Sequence, residues 1–531
     1  MVAAAVLALN LFATAARGAG AGPPPPPHDI SSCLTSNGVS NFSLPSSPSY
    51  TPLLCSSIRY LRFENNPSVG KPAAVVFPAS KQELQRAVVC ARNTSLAIRV
   101  RSGGHSYEGL SYTTENHVPF VVIDLANLNR VHVDPGSATV WAESGTTLGE
   151  LYYAVGRSNR TLAFPGGTCS TVGLGGIISG GGFGLLSRKF GLAADNVLDA
   201  TLIDPSGNTL TRATMDGDVF WAIRGGGGGS FGVVYSWTLR LVPVPDKITV
   251  FSGERTGPAD LIAPLIHKWQ YVGPHLPDEF YISTRIYFPG NLNMTFTGQF
   301  LVPKQQALSV LNQTYPELGL AESELSEVSW LESAAKFAEL KSVAELTDRQ
   351  IGVGEYAKRK SDYSQGPISK EHMVEIARYM SRAPTTGSVQ LNPYGAVMAR
   401  IGSTETPFPH RAGYLYSIQY AIDWTAADNG RRGGEFMAWL RAFYAFMAPH
   451  VSSNPRGAYV NYVDLDLGTD NWTEPTGIGA SYSYNAMVGQ KAAASWGQRY
   501  FLHNFDRLVR AKAKVDPENV FNNAQSIPPS L

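Results

Sequence analysis

Glycine sets the tightest limit on how this chain folds. Its density jumps between Phe164 and Gly191, and a second run follows at Gly225–Gly229. Clusters of this kind mark places where backbone approaches backbone or ligand and a Cβ atom has no room. The longer segment reads F-P-G-G-T-C-S-T-V-G from Phe164 to Gly173, then continues through Gly175-Gly176 and Gly180-Gly181-Gly182-Phe183-Gly184. Its spacing does not follow the G-x-G-x-x-G fingerprint, which argues against a Rossmann dinucleotide site. So many glycines around one cysteine point to a flat, bulky ligand lying on bare backbone. The plainer alternative is a flexible loop holding a buried structural thiol at Cys169.

A second small-residue loop, R-S-G-G-H-S-Y-E-G from Arg101 to Gly109, directly follows the β-prone run Ala97–Arg101. Successive small residues let backbone N–H groups converge on an anion such as a pyrophosphate. On spacing alone an ordinary surface turn with an unremarked histidine explains it as well.

The 531 residues, 44% of them hydrophobic, suffice for more than one packed core. Charged residues are only 16%, 43 basic against 42 acidic, so no strong field would draw in nucleic acid or a membrane surface. Residues 1–21 read as a secretory signal, with the apolar run Ala3–Ala16 and a small-residue cleavage pattern at Ala13-Thr14-Ala15. Pro23–Pro27 is a stiff extended linker. Sequons at Asn41, Asn93, Asn159, Asn293, Asn312 and Asn471 fit passage through a glycosylating compartment, and thus a secreted protein. Four cysteines are available, Cys33, Cys55, Cys90 and Cys169, and nothing in their spacing requires all to pair.

Strand and helix signals alternate from 67 to 245. Ser80–Glu83 and Thr147–Glu150 have capping-box form, and hairpins are expected around Asp134-Pro135-Gly136 and Asp204-Pro205-Ser206-Gly207. Val242-Pro243-Val244-Pro245 looks like a boundary. Residues 246–455 mix alternating strands, such as Phe280–Phe288 and Tyr414–Tyr420, with amphipathic helices such as Gly434–Met447, which predicts an antiparallel sheet covered on one side. Residues 456–531 form a C-terminal segment with a helix over Trp496–Ala513. The overall class expected is α+β.

Six ordered motifs resemble the plant berberine-bridge-enzyme-like family. They are the two loops above, K-F-G-L-A-A-D-N-V at 189–197, R-G-G-G-G-G-S-F-G at 224–232, T-P-F-P-H-R at 406–411, and K-V-D-P-E-N-V-F-N-N-A-Q-S-I-P at 514–528. The resemblance implies a vanillyl-alcohol-oxidase or PCMH-type FAD domain made of two α/β subdomains. It also implies a substrate domain over the isoalloxazine and a C-terminal segment that returns to the FAD domain. FAD would be attached twice, His105 to the 8α-methyl and Cys169 to C6. Cofactor contacts would come from Arg101, Ser102, Gly103, Gly104 and Ser106 in the first loop, and from Val172, Gly173, Gly175 and Gly176 in the second. Asn196, Val197, Asn523 and Gln525 would complete them. A Cys33–Cys90 disulfide fits the family pattern and leaves Cys55 unassigned. No metal is implied.

The segment Tyr459-Val460-Asn461-Tyr462 resembles the family's active-site tyrosines. Tyr462 is the candidate base for a substrate hydroxyl, with Tyr107, Tyr459 and Gln419 as further catalytic candidates that position it or the substrate. Alternation places Ser417 and Gln419 on one strand face. Gln419 stands where berberine bridge enzyme proper carries a glutamate, which argues against alkaloid ring closure. Ser417 and Phe183 differ from the lysine and tyrosine of monolignol-oxidising relatives. A tyrosine of pKa ~10 needs a nearby cation or the flavin environment to act at neutral pH. Val172 occupies the proposed oxygen gate and resembles oxidases. The implied activity is hydride transfer from an alcohol carbon, carbohydrate first and aromatic allylic alcohol second, to flavin N5. Oxygen would be the acceptor, giving hydrogen peroxide, and the protein would act as a monomer on a small molecule. The alternatives are a dehydrogenase using another acceptor, or a secreted allergen or defence protein with incidental turnover.

Overall fold

The computed structural model describes residues 29–64, 69–113, 118–351, 354–470 and 486–530. The expected signal, the proline run and the sequon at Asn471 lie outside these residues.

Among the described residues, three larger sheets organise the fold. In the first, strands Val75–Val76, Phe120–Asp124 and Ala97–Arg101 run parallel, with Phe42–Ser43 antiparallel at the edge. Phe120–Asp124 is buried along its whole length, as a parallel strand covered on both faces must be. Helix Lys81–Asn93 covers one face with Leu84, Ala87, Val88 and Ala91, and the Ser80 side chain accepts from the Glu83 N–H at its start. A disulfide ties this helix through Cys90 to Cys33 of the N-terminal helix Ile30–Ser36, as the resemblance implies.

The second sheet is antiparallel and contains both expected hairpins, Val131–Asp134 with Thr139–Glu143 and Val197–Ile203 with Thr209–Leu210, joined through Val233–Arg240. Helix Leu148–Ser158 opens on a complete capping box, in which Thr147 and Glu150 each satisfy the other's backbone N–H.

The third sheet has seven antiparallel strands: Leu325–Val328, Ile248–Gly257, Leu292–Phe300, Phe280–Phe288, Gly387–Pro393, Tyr416–Trp424 and Tyr356–Ser364, in that spatial order. Helices Ala259–Val272, Lys304–Thr314, Lys370–Ser381 and Gly433–Phe446 bury one face around Trp269, Phe296 and Phe443. The predicted strand over Tyr414–Tyr420 begins at Tyr416 and runs on to Trp424.

The single helix expected over Trp496–Ala513 is two helices, Ala486–Phe501 and Phe505–Val515, broken at Leu502, whose φ is +47°. At the break the Asn504 side chain donates to the carbonyls of Ser403, Thr406 and Pro407. Gly497 makes the turn possible, since a Cβ there would lie 2.2 Å from the Phe505 ring. Phe501, Phe505 and Leu508 thereby enter the same core as Leu148 and Trp237, so the C-terminal segment returns to the first body. Lys512 secures the tail. Its buried ammonium pairs with Asp516 at 2.6 Å and donates to the carbonyls of Ser230 and Phe521.

Candidate active site

A cavity of about 860 Å³ lies between the glycine loops and the uncovered face of the seven-stranded sheet. Its first wall is made by two interlocked loops. A Cβ on Gly103 would sit 2.4 Å from the Gly173 nitrogen, and one on Gly173 would sit 1.9 Å from Ser102 Oγ. Only glycine allows this contact, and it brings His105 and Cys169 to one place. His105 Nε2 lies 2.9 Å from Thr171 Oγ1, and Cys169 Sγ lies 3.7 Å from the same oxygen. Burial, reinforced by Arg59, lowers the His105 pKa to about 3 and keeps its imidazole neutral. Cys169 is exposed to the cavity, which sets aside the buried-thiol alternative.

Along this wall other glycines face space. A Cβ on Gly176 would meet nothing within 4 Å, and the nearest atom to one on Gly228 would be Ser179 Cβ at 3.7 Å. Gly227 and Gly229 hold φ of +95° and +74°, the left-handed region that favours glycine. Side chains here would fill room that the chain itself leaves, so the residues present fit a flat ring system such as a flavin.

Ser102, Gly103, Gly104, His105, Ser106 and Tyr107 line the cavity, as do Cys169, Val172, Gly173, Gly175, Gly176, Asn523 and Gln525. Arg101, Asn196 and Val197, also expected at the cofactor, do not line this cavity. The Arg101 guanidinium is consumed by an ion pair with Asp124 and by the carbonyls of Leu53 and Leu54. Asn196 Nδ2 donates to the carbonyls of Phe190 and Leu192, and Val197 is core. Two further motifs serve the same end, for Arg411 of the 406–411 segment pairs with Asp195 of the 189–197 segment at 2.7 Å.

The facing wall is one side of the large sheet. Strand register places Glu254, Thr295, Arg285, Gln390, Gln419 and Ser361 in one row across six strands. Arg285 Nε donates to Gln390 Oε1 at 3.1 Å, Gln390 Nε2 to Asn392 Oδ1 at 2.9 Å, and Tyr281 OH to the same oxygen at 3.3 Å. Gln419 Nε2 lies 2.6 Å from the Tyr107 hydroxyl and donates to it, linking the sheet to the flavin loop.

The tyrosines meet where the walls converge. The Tyr107 and Tyr462 rings stack at 5.4 Å, and Tyr459 stands edge-on to Tyr462 at 5.0 Å. Ser361 Oγ accepts from the Tyr459 N–H at 3.0 Å, fixing this segment to the sheet. The Tyr459 hydroxyl accepts from the N–H groups of Gly182 and Phe183 and from Asn461 Nδ2. These three donors hold the Tyr459 hydroxyl between the glycine loop and Asn461. Burial pushes the Tyr107 hydroxyl up to about 12 and holds that of Tyr462 well above its ordinary value. At Tyr462 neighbouring tyrosines add to the rise and Arg285 opposes it. Buried ion pairs brace the junction: Glu108 with Lys358, Lys358 with Asp464 at 2.8 Å, and Lys360 with Asp464 at 2.5 Å.

Arg285, Gln390, Asn392 and Tyr281 are site residues that the sequence reading missed. Their only signal was alternation within strands, which groups residues on one face without telling which face is the site.

A glycine-lined flavin cradle opposed by a polar sheet face defines an FAD-linked oxidoreductase. A family model described as FAD binding domain matches residues 72–212, and one described as Berberine and berberine like matches residues 458–528. Berberine bridge enzyme-like D-2 from Nicotiana tabacum is 46% identical over 520 residues, covering 94% of this chain and 91% of that protein. Reticuline oxidase from Eschscholzia californica is 45% identical, covering 94% of this chain and 92% of that one. The solved structure of berberine bridge enzyme from Eschscholzia californica superposes with a TM-score of 0.90 at 45% identity, covering 94% of this chain and 99% of that one. A variant of Phl p 4 described as a glucose oxidase gives 0.86 at 38% identity, covering 95% and 100%. The chain belongs to the berberine bridge enzyme-like family. No described helix is long and apolar enough to cross a membrane.

Proposed function

We propose that this protein is a secreted, monomeric oxidase whose FAD is held covalently by His105 and Cys169 and which oxidises an alcohol carbon of a carbohydrate. The observation that carries the reading is the cluster of Tyr462, Tyr107, Gln419 and Arg285 where the cradle meets the sheet face. When bound, the flavin would supply the hydride-accepting centre.

The chain's own residues supply attachment, orientation and proton management. A neutral His105 presents a ring-nitrogen lone pair, and Cys169 presents its sulfur to the same space. Tyr462 takes the hydroxyl proton of the substrate. Burial and the neighbouring tyrosines disfavour its ionised form, and the Arg285 cation partly opposes them. Gln419 holds the Tyr107 oxygen, and Tyr107 holds the Tyr462 ring by stacking. Hydroxyl and amide groups of Ser283, Thr297, Gln390 and Asn392 face the substrate space and suit a polyhydroxylated molecule. The likeness to a Phl p 4 variant described as a glucose oxidase supports the same class. Val172 lines the cradle as a small gate residue and supports oxygen as acceptor.

A second reading, an aromatic allylic alcohol, is favoured by the aromatic wall of Phe183, stacked on Tyr394 at 5.2 Å and tilted against Tyr281 at 6.2 Å. Stopped-flow flavin bleaching of the holoenzyme with saccharides and aromatic alcohols, followed by air, separates them. Fast bleaching by saccharides with fast re-oxidation is the expected result. Bleaching by aromatic alcohols alone would transfer the assignment to the second reading, and slow re-oxidation would make the enzyme a dehydrogenase.

A further inference from the structure

We propose that Lys358 is a positioning residue, whose buried ammonium clamps together the segments that carry Tyr107 and Tyr462 and so sets the stack of the two rings. The proposal rests on the reading of Tyr462 as the base and deepens it.

Neither tyrosine lies on a strand, so no backbone ladder fixes how the rings meet. The connection is made a step further along each segment, by Glu108 directly after Tyr107 and by Asp464 two residues after Tyr462. Both are buried, and neither lines the cavity. Lys358 Nζ donates to Glu108 Oε1 and, at 2.8 Å, to Asp464 Oδ1. Each carboxylate is anchored in turn through its other oxygen. Glu108 Oε2 accepts from Arg62 Nη2 at 3.0 Å, and Asp464 Oδ2 accepts from Lys360 Nζ at 2.5 Å. Arg62 Nη2 also reaches the Tyr107 carbonyl at 3.4 Å.

Lys358, Lys360 and Ser361 belong to one strand, Tyr356–Ser364, at the edge of the large sheet. Ser361 takes the Tyr459 N–H while the two lysines take Asp464, so this strand holds the tyrosine segment at both ends. The cradle side is tied in as well. The Asp464 carbonyl accepts from Gln525 Nε2 at 2.9 Å, and Gln525 lines the cavity.

Burying ions costs several kcal/mol for each, a cost that an apolar contact between the same segments would avoid. Stability therefore does not account for the arrangement. What the ions add is geometry, because two carboxylates bound to one ammonium at hydrogen-bond distance cannot slide past each other. Burial lowers the Lys358 pKa, but Glu108, Asp464 and Asp466 outweigh it and hold the group above its ordinary value, fully charged. Gln419 holds the Tyr107 oxygen from the sheet, and the clamp holds its backbone.

The test is Glu108→Gln in the holoenzyme, which keeps the shape of the side chain and leaves Lys358 paired with Asp464. A single fluorotyrosine at position 462 gives a fluorine NMR resonance that the facing Tyr107 ring shifts, and Tyr107→Leu marks where the unstacked signal lies. In Glu108→Gln the resonance should move toward that mark, and flavin reduction should slow about 10²-fold, the cost of an ångström-scale misplacement. Asp464→Asn opens the clamp from the other side and should give the same two changes, which separates loss of the clamp from damage to one loop. In a Tyr462→Phe background the further slowing by Glu108→Gln should vanish. An unmoved resonance in flavin-loaded Glu108→Gln, or equal slowing with and without the Tyr462 hydroxyl, would overturn the proposal. A moved resonance with unchanged reduction in both Glu108→Gln and Tyr462→Phe would support the clamp and sink only the reading of Tyr462 as base.

Discussion

In the flavin cradle the residues that meet the cavity are contiguous in sequence, whereas on the opposite sheet face they are two apart on strands far from one another. The cradle is made of backbone, and the glycines that lock its two loops together are fixed by what a Cβ would strike. Gly103 and Gly173 are tied to each other, and Gly104 would place a Cβ 1.9 Å from the Ser57 carbonyl oxygen. The sheet face is made of side chains on regular strands. Arg285 or Gln390 can change without disturbing the ladder beneath them. A cofactor site of this kind is therefore rigid and demanding of sequence, while the substrate side is free to vary on the same scaffold.

The harshest way to break the contrast is to remove the attachment groups. The double variant His105→Ala, Cys169→Ala should release all its flavin on acid precipitation, where the parent protein retains it. Colour left in the pellet would refute covalent attachment through these two residues.

Tyr462→Phe comes next. It should slow flavin reduction by about 10²–10⁴-fold, the usual range for a lost general base, and leave re-oxidation by oxygen alone. An unchanged reductive rate would take Tyr462 out of the mechanism.

Arg411→Met probes the scaffold that both regions share. Arg411 is fully buried and Asp195 nearly so, hence removing one leaves an uncompensated charge inside. Stability should fall by about 3 kcal/mol, read as a lower denaturant midpoint at unchanged slope. A shift within error would mean that the two motifs are not held by this pair.

Arg285→Met gives the smallest effect and separates the two regions most cleanly. Arg285 opposes the upward shift of the Tyr462 pKa, so its loss raises that pKa further. The proton-accepting form is then rarer at neutral pH, and the rising limb of the reductive rate moves to higher pH. The rate near neutrality should drop about tenfold, equivalent to one pH unit of displacement, and recover as pH rises. An unshifted limb would show that the cation positions substrate rather than tuning the tyrosine.

How much was legible beforehand follows the same division. The glycine loops, both hairpins, the complete capping box at Thr147 and the strand Phe280–Phe288 lie in short stretches where local chemistry decides conformation. The Arg101 ion pair was not legible because a loop motif does not say which of its side chains turn inward, and Asp124 captures it from the neighbouring strand. The partners of the Tyr459 hydroxyl were hidden for the same reason. Only the fold aims the N–H groups of Gly182 and Phe183 at its oxygen. The helix over 496–513 was read as continuous because Leu502 carries no breaking signal of its own. The break exists to satisfy contacts with residues 403–407, about a hundred positions earlier.

By itself, then, the sequence determined the cradle, because close backbone approach is written in glycine and leaves few other conformations. It also determined the two attachment residues as candidates and the period of the strands. Tertiary structure alone decided that Arg285, Gln390 and Asn392 face the cavity, that Gln419 reaches Tyr107, and that Arg285 opposes the upward shift at Tyr462. Alternation offers two equivalent faces to every strand. Which one becomes a site is settled only when helices cover the other and a second body closes over what remains.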